Sequence, residues 1–372
     1  MVMYNMDMSL YDLNRDIIQG RAKGRVLWQP RIQCWFHDRD FLNIPYERPY
    51  TGLSHPDIYR KLGCSNRIYL TLESYYTHDA ISFIKREIDE LRWEEIIETP
   101  VGKISCVQRR NRLNYGIFPE KWFVESEDDL KVLIYIQEHT AYSFDKDSLD
   151  NCIATIGDTG LPCGMLPRTS IQRLFVEYMG VEGAIHALVD YPDTVEEYFG
   201  VCEESDKLCM DAYIESGIEW LNFGDNIHGG ILSPKLFVKY ILPYYQRRND
   251  YLHKYNIFTH AHWDGDCKPL LPYMKDTGLD GIEAITPIPQ GDISLAEAKK
   301  AMGDMYMIDG IAALLFDELY PLEMLMNQVK ECIDLFPDRL IMGISDELSS
   351  TGTLERVKKV ADYVNEYNAR IG

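Results

Sequence analysis

The sequence predicts an α/β protein: a single (β/α)8 barrel of the TIM type, preceded by an N-terminal β/irregular excursion. Three observations predict it. Short apolar strands alternate with amphipathic helices over the C-terminal part. Nearly every strand ends in Asp, Asn, His, Glu or Ser on its C-terminal side. No G-x-G-x-x-G follows any strand, which disfavours an open dinucleotide-binding sheet. Alternating strands and helices imply parallel pairing with right-handed crossovers. In a barrel the carboxyl ends of the strands converge on one face, where barrel enzymes do chemistry.

Residues 1–150 read as irregular. A short helix is predicted near Leu10–Gly20, then an apolar-aromatic run from Val26 to Phe36 that contains Trp28, Arg31 and Trp35. Arg67–Glu73 and Gly102–Arg109 alternate like strands, on either side of helix-like text at Ile81–Leu91. From residue 151 to 372 the text becomes regular. The strand-plus-polar-end units are Ile153–Asp158, Trp220–Asn226, Phe258–Gly265, Gly281–Pro287, Tyr306–Gly310 and Leu340–Glu347. Leu295–Met302 reads as a connecting helix, with Asp292 and Ser294 as candidate N-caps. No linker or low-complexity tract divides the chain, so residues 1–372 are read as one domain.

Composition narrows the function. The 38 basic residues face 59 acidic ones, a net charge of −21. Such a surface repels nucleic acid and anionic lipid, so neither is expected as a partner. Nine scattered cysteines, with no CxxC pair, read as reduced intracellular thiols. Met1–Arg15 lacks the pattern of a secretory leader, and no apolar run reaches the ~18–20 residues that span a bilayer. A cytoplasmic location is expected.

The chemistry-bearing text centres on His260-Ala-His262-Trp-Asp264-Gly. On a strand, residues two apart share a face, so His260, His262 and Asp264 point the same way. Two imidazoles and a carboxylate there could begin a divalent metal site, or could be a hydrogen-bonded His pair with a helix-capping Asp. Glu283, between Ile282 and Ala284, is harder to read as solvated: a carboxylate on a buried strand must be paired, metal-bound or protonated. Asp309 could complete a ligand sphere or merely turn the chain at Gly310. Ser345-Asp346-Glu347 closes the last strand. Gly224-Asp225-Asn226-Ile-His228-Gly-Gly puts polar groups beside glycines, suited to substrate contact or to a tight turn. Arg31, between two tryptophans, could anchor a carboxylate or stack on a ring.

The stretches Glu177-Tyr-Met-Gly180, Gly224-Asp-Asn226, Ser233-Pro-x-x-Phe237, His262-Trp-Asp-Gly265, Gly278–Glu283 with Pro287-x-Pro289, and Gly343-Ile-Ser-Asp346 together resemble the uroporphyrinogen decarboxylase superfamily. The likeness leans to its cobalamin-dependent methyltransferase branch. It implies a single (β/α)8 barrel and a zinc site at the strand end. His262 matches the family's His, but Asp264 falls where its first Cys stands, and Ser345-Asp346 replaces a later Cys. The expected metal set is therefore His262, Asp264, Glu283 and Asp346, an oxygen-rich sphere for a divalent metal, zinc by resemblance. Decarboxylases of the family carry two arginines four apart. Here Arg31 matches the first and Trp35 replaces the second.

The resulting expectation is a metal-assisted methyltransferase, working with a corrinoid protein as partner and a small methylated, preferably methoxylated, substrate. Glu283 and Asp225 are its expected catalytic residues. Arg31, Trp35, Asn226, His228 and His260 are its expected substrate contacts, with His260 deeper in the barrel. A monomer or homodimer is expected. The alternatives are uroporphyrinogen decarboxylation and a non-catalytic barrel sensor.

Overall fold

The computed structural model describes residues 9–371. The first eight residues of the Met1–Arg15 stretch lie outside them. The described chain falls into two compact units. Of the described residues, the first comprises 9–70, 147–165 and 218–371, and the second 71–146 and 166–217.

The first unit carries eight strands, all parallel. In chain order they are β1 (Leu27–Trp28), β2 (Tyr69–Leu70), β3 (Cys163–Met165), β4 (Trp220–Ile227), β5 (Phe258–Trp263), β6 (Gly281–Glu283), β7 (Tyr306–Ala312) and β8 (Leu340–Ser345). Each pairs with its successor from β2 through β8, and β8 then pairs with β1. The Ser65 N–H, just before β2, also donates to the Trp28 carbonyl at 2.9 Å. β6, β7 and β8 are buried along their whole length, as parallel strands covered on both faces must be.

The register sets the site. His262 on β5 is level with Asn226 on β4 and with Glu283 on β6. A core of Leu13, Ile17, Leu27, Trp220, Tyr306, Ile308 and Ile341 packs beneath. Leu10–Ile18 is helical with Ser9 as its N-cap. Leu295–Met302 carries a full capping box made by Ser294 and Glu297. Asp292 is not the cap. Its carboxylate instead accepts from the N–H groups of Cys267 and Lys268.

Two sequence expectations are corrected. Ile153–Asp158 is not a strand: Lys146–Ile156 is a helix that buries Cys152 and Ile156, four residues apart. The third strand is the short Cys163–Met165 run instead. Ile81–Leu91 is not helical: Ser82–Glu87 pairs antiparallel with Arg92–Thr99, and this cross-strand pairing overrides a helix-like charge pattern.

The second unit holds that pair within a four-stranded antiparallel sheet, continued by Gly102–Arg110 and Ile117–Lys121. Helices Glu127–Glu138 and Pro192–Ser216 pack on each other. All nine cysteines are free. No helix among the described residues is long and apolar enough to cross a membrane.

Candidate active site

Glu283, at the end of β6, is the hub of the site and is buried. Its Oε1 accepts from Arg67 Nη1 at 2.6 Å and from the Tyr69 hydroxyl. Its Oε2 accepts from Asn222 Nδ2 at 2.6 Å. Arg67, just before β2, also donates from Nη2 to Asp309 Oδ1 at 2.7 Å and from Nε to Gln29 Oε1 at 2.9 Å. One guanidinium thus bridges two buried carboxylates. Gly343 makes room for this: a Cβ there would collide with Asp309 Oδ1. Ala284 and Asp309 both sit at positive φ, 65° and 74°. Such conformations are costly for residues with a Cβ and cluster at functional sites.

His262 comes next. Its Nδ1 faces Glu283 Oε2 at 3.6 Å and Arg31 Nη1 at 3.3 Å, and its Nε2 faces Asp346 Oδ1 at 3.7 Å. Arg31 in turn donates to Asp346 Oδ1 at 3.3 Å and pairs through Nε with Glu347 Oε1 at 3.2 Å. Arg31, His262, Glu283 and Asp346, all singled out in the sequence, are therefore brought together. His260 lies fully buried, with its ring against Trp220 and its Nε2 3.0 Å from Asn222 Nδ2.

The electrostatics follow from burial and charge. Burial alone would raise Glu283, but His262, Arg67 and Arg31 hold it well below the usual carboxylate range. Burial pulls the His262 imidazole down, yet Glu283 outweighs it and the ring binds its proton more tightly than usual. Burial dominates at His260 and pushes it down to about 3. It also pushes Asp309 up to about 6 against the pull of Arg67, with Glu283 adding to the rise. Asp264 is raised by burial, opposed by His262 and reinforced by Asp346.

The other expected contacts have these surroundings. Asp225 is buried and accepts from the Tyr245 hydroxyl at 2.7 Å, on the helix Leu242–Leu252. Asn226 is exposed. His228 Nδ1 accepts from the Gly230 N–H at 2.8 Å, and its ring packs where a Cβ at Gly265 would clash. Trp35 is turned away: its Nε1 donates to the Gly352 carbonyl at 3.0 Å, its ring stacks on Tyr46, and Arg39 covers it at 4.1 Å.

Arg67, Tyr69 and Asn222 were not anticipated as site residues. The signal available was a polar residue embedded in apolar strand text, as in Trp220-Leu-Asn222-Phe, which is the argument that had picked out Glu283.

The expected metal set does not fit. Among the described residues, no three His, Cys, Asp or Glu side chains form a group that could hold an ion. The reason is local. Glu283 already accepts three hydrogen bonds, and the Arg31 guanidinium reaches His262, Asp346 and Glu283, the last at 3.9 Å. A metal cation bound by His262, Glu283 and Asp346 would have to displace a cation already there.

The comparisons with known proteins come to bear on this geometry. A methyltransferase from Methanosarcina mazei is similar over 97% of this chain and 99% of its own, with a TM-score of 0.58 and 14% identity. That likeness shows a shared fold. A B12-independent methionine synthase from Shewanella covers 79% of this chain and 76% of its own at a TM-score of 0.37 and 11% identity, too little shared fold to carry an argument. No curated protein matches the chain. The family model for uroporphyrinogen decarboxylase matches residues 169–367, more than half of the sequence and the part that supplies His262, Glu283, Asp309 and Asp346. The chain belongs to the uroporphyrinogen decarboxylase family.

Proposed function

We propose that this chain is a methyltransferase. It would take a methyl group from a small methylated compound and pass it to a corrinoid carried by a separate protein, and its sheet would close between β1 and β2 into the eight-stranded barrel. The observation that carries the reading is that both site guanidiniums are paired with the protein's own carboxylates. Arg67 serves Glu283 and Asp309, and Arg31 serves Asp346 and Glu347. A polycarboxylate porphyrinogen needs free cations to grip it, and an acidic site repels it. Porphyrinogen decarboxylation is thereby disfavoured within the family. The M. mazei methyltransferase, with its shared fold, makes methyl transfer the natural alternative.

The residues divide the work. Arg67, Tyr69 and Asn222 fix the Glu283 carboxylate, and Glu283 fixes the face and charge of the His262 ring. A positioned imidazole beside the reacting atoms keeps the donor in one orientation, which is where much of the rate enhancement of group transfer arises. Asp346, about half exposed, and Asp264 complete the edge that meets the substrate.

The test is methyl transfer from a panel of O-, N- and S-methylated compounds to cob(I)alamin, followed by the absorbance of methylcobalamin, with metal content measured on the same preparation. Transfer from at least one donor, lowered on the order of 10²-fold by His262→Gln, is expected. Consumption of uroporphyrinogen with release of CO2, and no transfer, overturns the proposal.

A further inference from the structure

A separate cavity lies wholly within the first unit. It encloses about 780 Å³, room for a whole small molecule and not just for an ion. Its walls come from the segments that follow β1, β7 and β8. In α/β barrels the loops after the last two strands often take a phosphate group. Arg31, His262, Glu283 and Asp346 are not among its walls, whereas Trp35, Arg39 and Arg48 are. The Arg39 guanidinium lies over the Trp35 ring, 4.1 Å from its centroid. Its Nε is sealed from solvent, so the two Nη groups are what it offers to the cavity. Neither Arg39 nor Arg48 pairs with a carboxylate among the described residues, although acidic residues outnumber basic ones 59 to 38. The carboxylates in the walls differ in kind. Asp317 accepts from the Leu319 N–H at 2.9 Å, and Glu355 pairs with Lys359 at 2.8 Å. Glu47 and Glu318 are exposed and hydrated by solvent, and Lys358 is held by Asp362. The charge fixed in the wall is therefore that of Arg39, which is partly buried and stacked. Beside it Leu319, 87% exposed, with Pro49 and Tyr50, supplies apolar surface.

From this cavity and its two unpaired guanidiniums we infer a second ligand site, one that takes a small organic phosphate. The phosphate group meets the Nη groups of Arg39 and the Arg48 side chain, and the organic body covers Leu319, Pro49 and Tyr50. A guanidinium fork matches the oxygens of a phosphate two at a time. Arg39 is already ordered by its stack on Trp35, so binding costs it little further freedom. Thr353 and Leu354 also line the cavity, at the start of the helix Leu354–Ile371. Thr353 accepts there from the Arg356 N–H at 3.4 Å, and the start of a helix adds positive potential. The volume and the exposed leucine call for a ligand with an apolar part, which inorganic phosphate lacks. Nothing covalent happens in this site, and the inference stands independently of the methyl-transfer reading. It also gives Trp35 a role: the ring that is turned away from Arg31 holds Arg39 in place.

Calorimetry of the purified full chain tests this with phenyl phosphate, phenol and inorganic phosphate as probes. Phenyl phosphate is expected to bind at least about tenfold more tightly than either of the others, the scale of one charge-assisted contact. Arg39→Gln is expected to remove most of that preference, and Arg48→Gln to reduce it. Arg112→Gln is the control. Arg112 is likewise unpaired among the described residues but lines a cavity of the second unit, so its loss should leave the affinity unchanged. Thermal melts establish that each variant is folded, and the exposed Arg48 keeps the test readable should Arg39→Gln unfold. Equal affinity for phenyl phosphate and phenol overturns the inference, because no charge is then recognised. Inorganic phosphate binding as tightly as the ester overturns it too, because the organic body then makes no contact. An affinity indifferent to both Arg39→Gln and Arg48→Gln places the ester elsewhere and has the same consequence.

Discussion

Each unit of the molecule buries an arginine, and the two are neutralised differently. In the second unit, Arg173 pairs with Asp206 and spends its other donors on neutral oxygens, Gln137 Oε1 at 3.2 Å and the Arg168 carbonyl at 2.7 Å. One positive charge meets one negative charge. In the first unit, Arg67 is shared between Glu283 and Asp309, with Gln29 filling Nε. One positive charge meets two negative ones. A balanced pair asks nothing of a ligand and reads as scaffold. An overloaded one leaves charge for something else to answer, and it lies where the family-matched strands end.

The largest expected effect follows from that difference. Removing one partner of a buried pair strands the other, at a cost of about 3–5 kcal/mol, whereas replacing the whole pair by apolar residues is often neutral. Arg67→Met and Arg173→Met should each destabilise by that order, read from urea unfolding midpoints. The double variants should part company. Arg173→Met with Asp206→Leu should recover most of the loss. Arg67→Met with Asp309→Leu should not, because Glu283 keeps its charge and loses its closest cation, leaving Tyr69 and Asn222 as hydrogen-bond donors and His262 and Arg31 farther off at 3.6 and 3.9 Å. Equal recovery in both would show that the two sites are electrostatically alike.

A smaller effect probes packing. Gly343→Ala would drive a Cβ into Asp309 Oδ1 and to 2.8 Å from the Gln29 carbonyl, which should cost about 1–3 kcal/mol as overpacking does. In the second unit Gly183 lies within the helix Gly180–Asp190, and a Cβ there meets Met179 Cβ at an ordinary 3.5 Å. Gly183→Ala should stabilise by roughly 0.5–1 kcal/mol. A tolerant Gly343 would mean that the Arg67 network has slack.

What was legible in the sequence follows the same divide. Polar residues at the carboxyl ends of apolar strands announced His262, Glu283 and Asp346, because such a residue on a buried strand is locally conspicuous. Arg67 was not legible as a site residue: its partners Glu283 and Asp309 lie 216 and 242 residues away, and nothing local encodes a pairing that distant. The same blindness produced the metal expectation. The carboxylates were visible, but Arg67 was not, and Arg31 was read as a substrate contact and not as their counter-ion. Trp35 was placed with Arg31 by proximity in sequence, yet a helix starting at Gln33 turns the two side chains apart. Ile153–Asp158 and Ile81–Leu91 were misread because short apolar or charged runs suit either period, and tertiary pairing decides.

The smallest effect is a slope in pH. Asp309 is held at about 6, against 3.8 for a free side chain. Between those values the native state keeps a proton that the unfolded chain has released. Stability from this group is fully present below about 3.8 and is lost as pH rises through about 6, by at most about 1.4 kcal/mol per pH unit. Glu283 is shifted the other way, so its contribution is present above 4.5 and is lost only as pH falls through its depressed value. From pH 4.5 to 6 the Asp309 slope therefore runs unopposed by Glu283; Asp264 and Glu347, both raised chiefly by burial, add slopes of the same sign, and His260, held neutral down to about 3, contributes one of the opposite sign. Asp309→Asn should make the slope of unfolding midpoint against pH across that window more positive than in the parent chain. An unchanged slope would mean that Arg67 neutralises both of its carboxylates, and the contrast with Arg173 would lose its electrostatic basis.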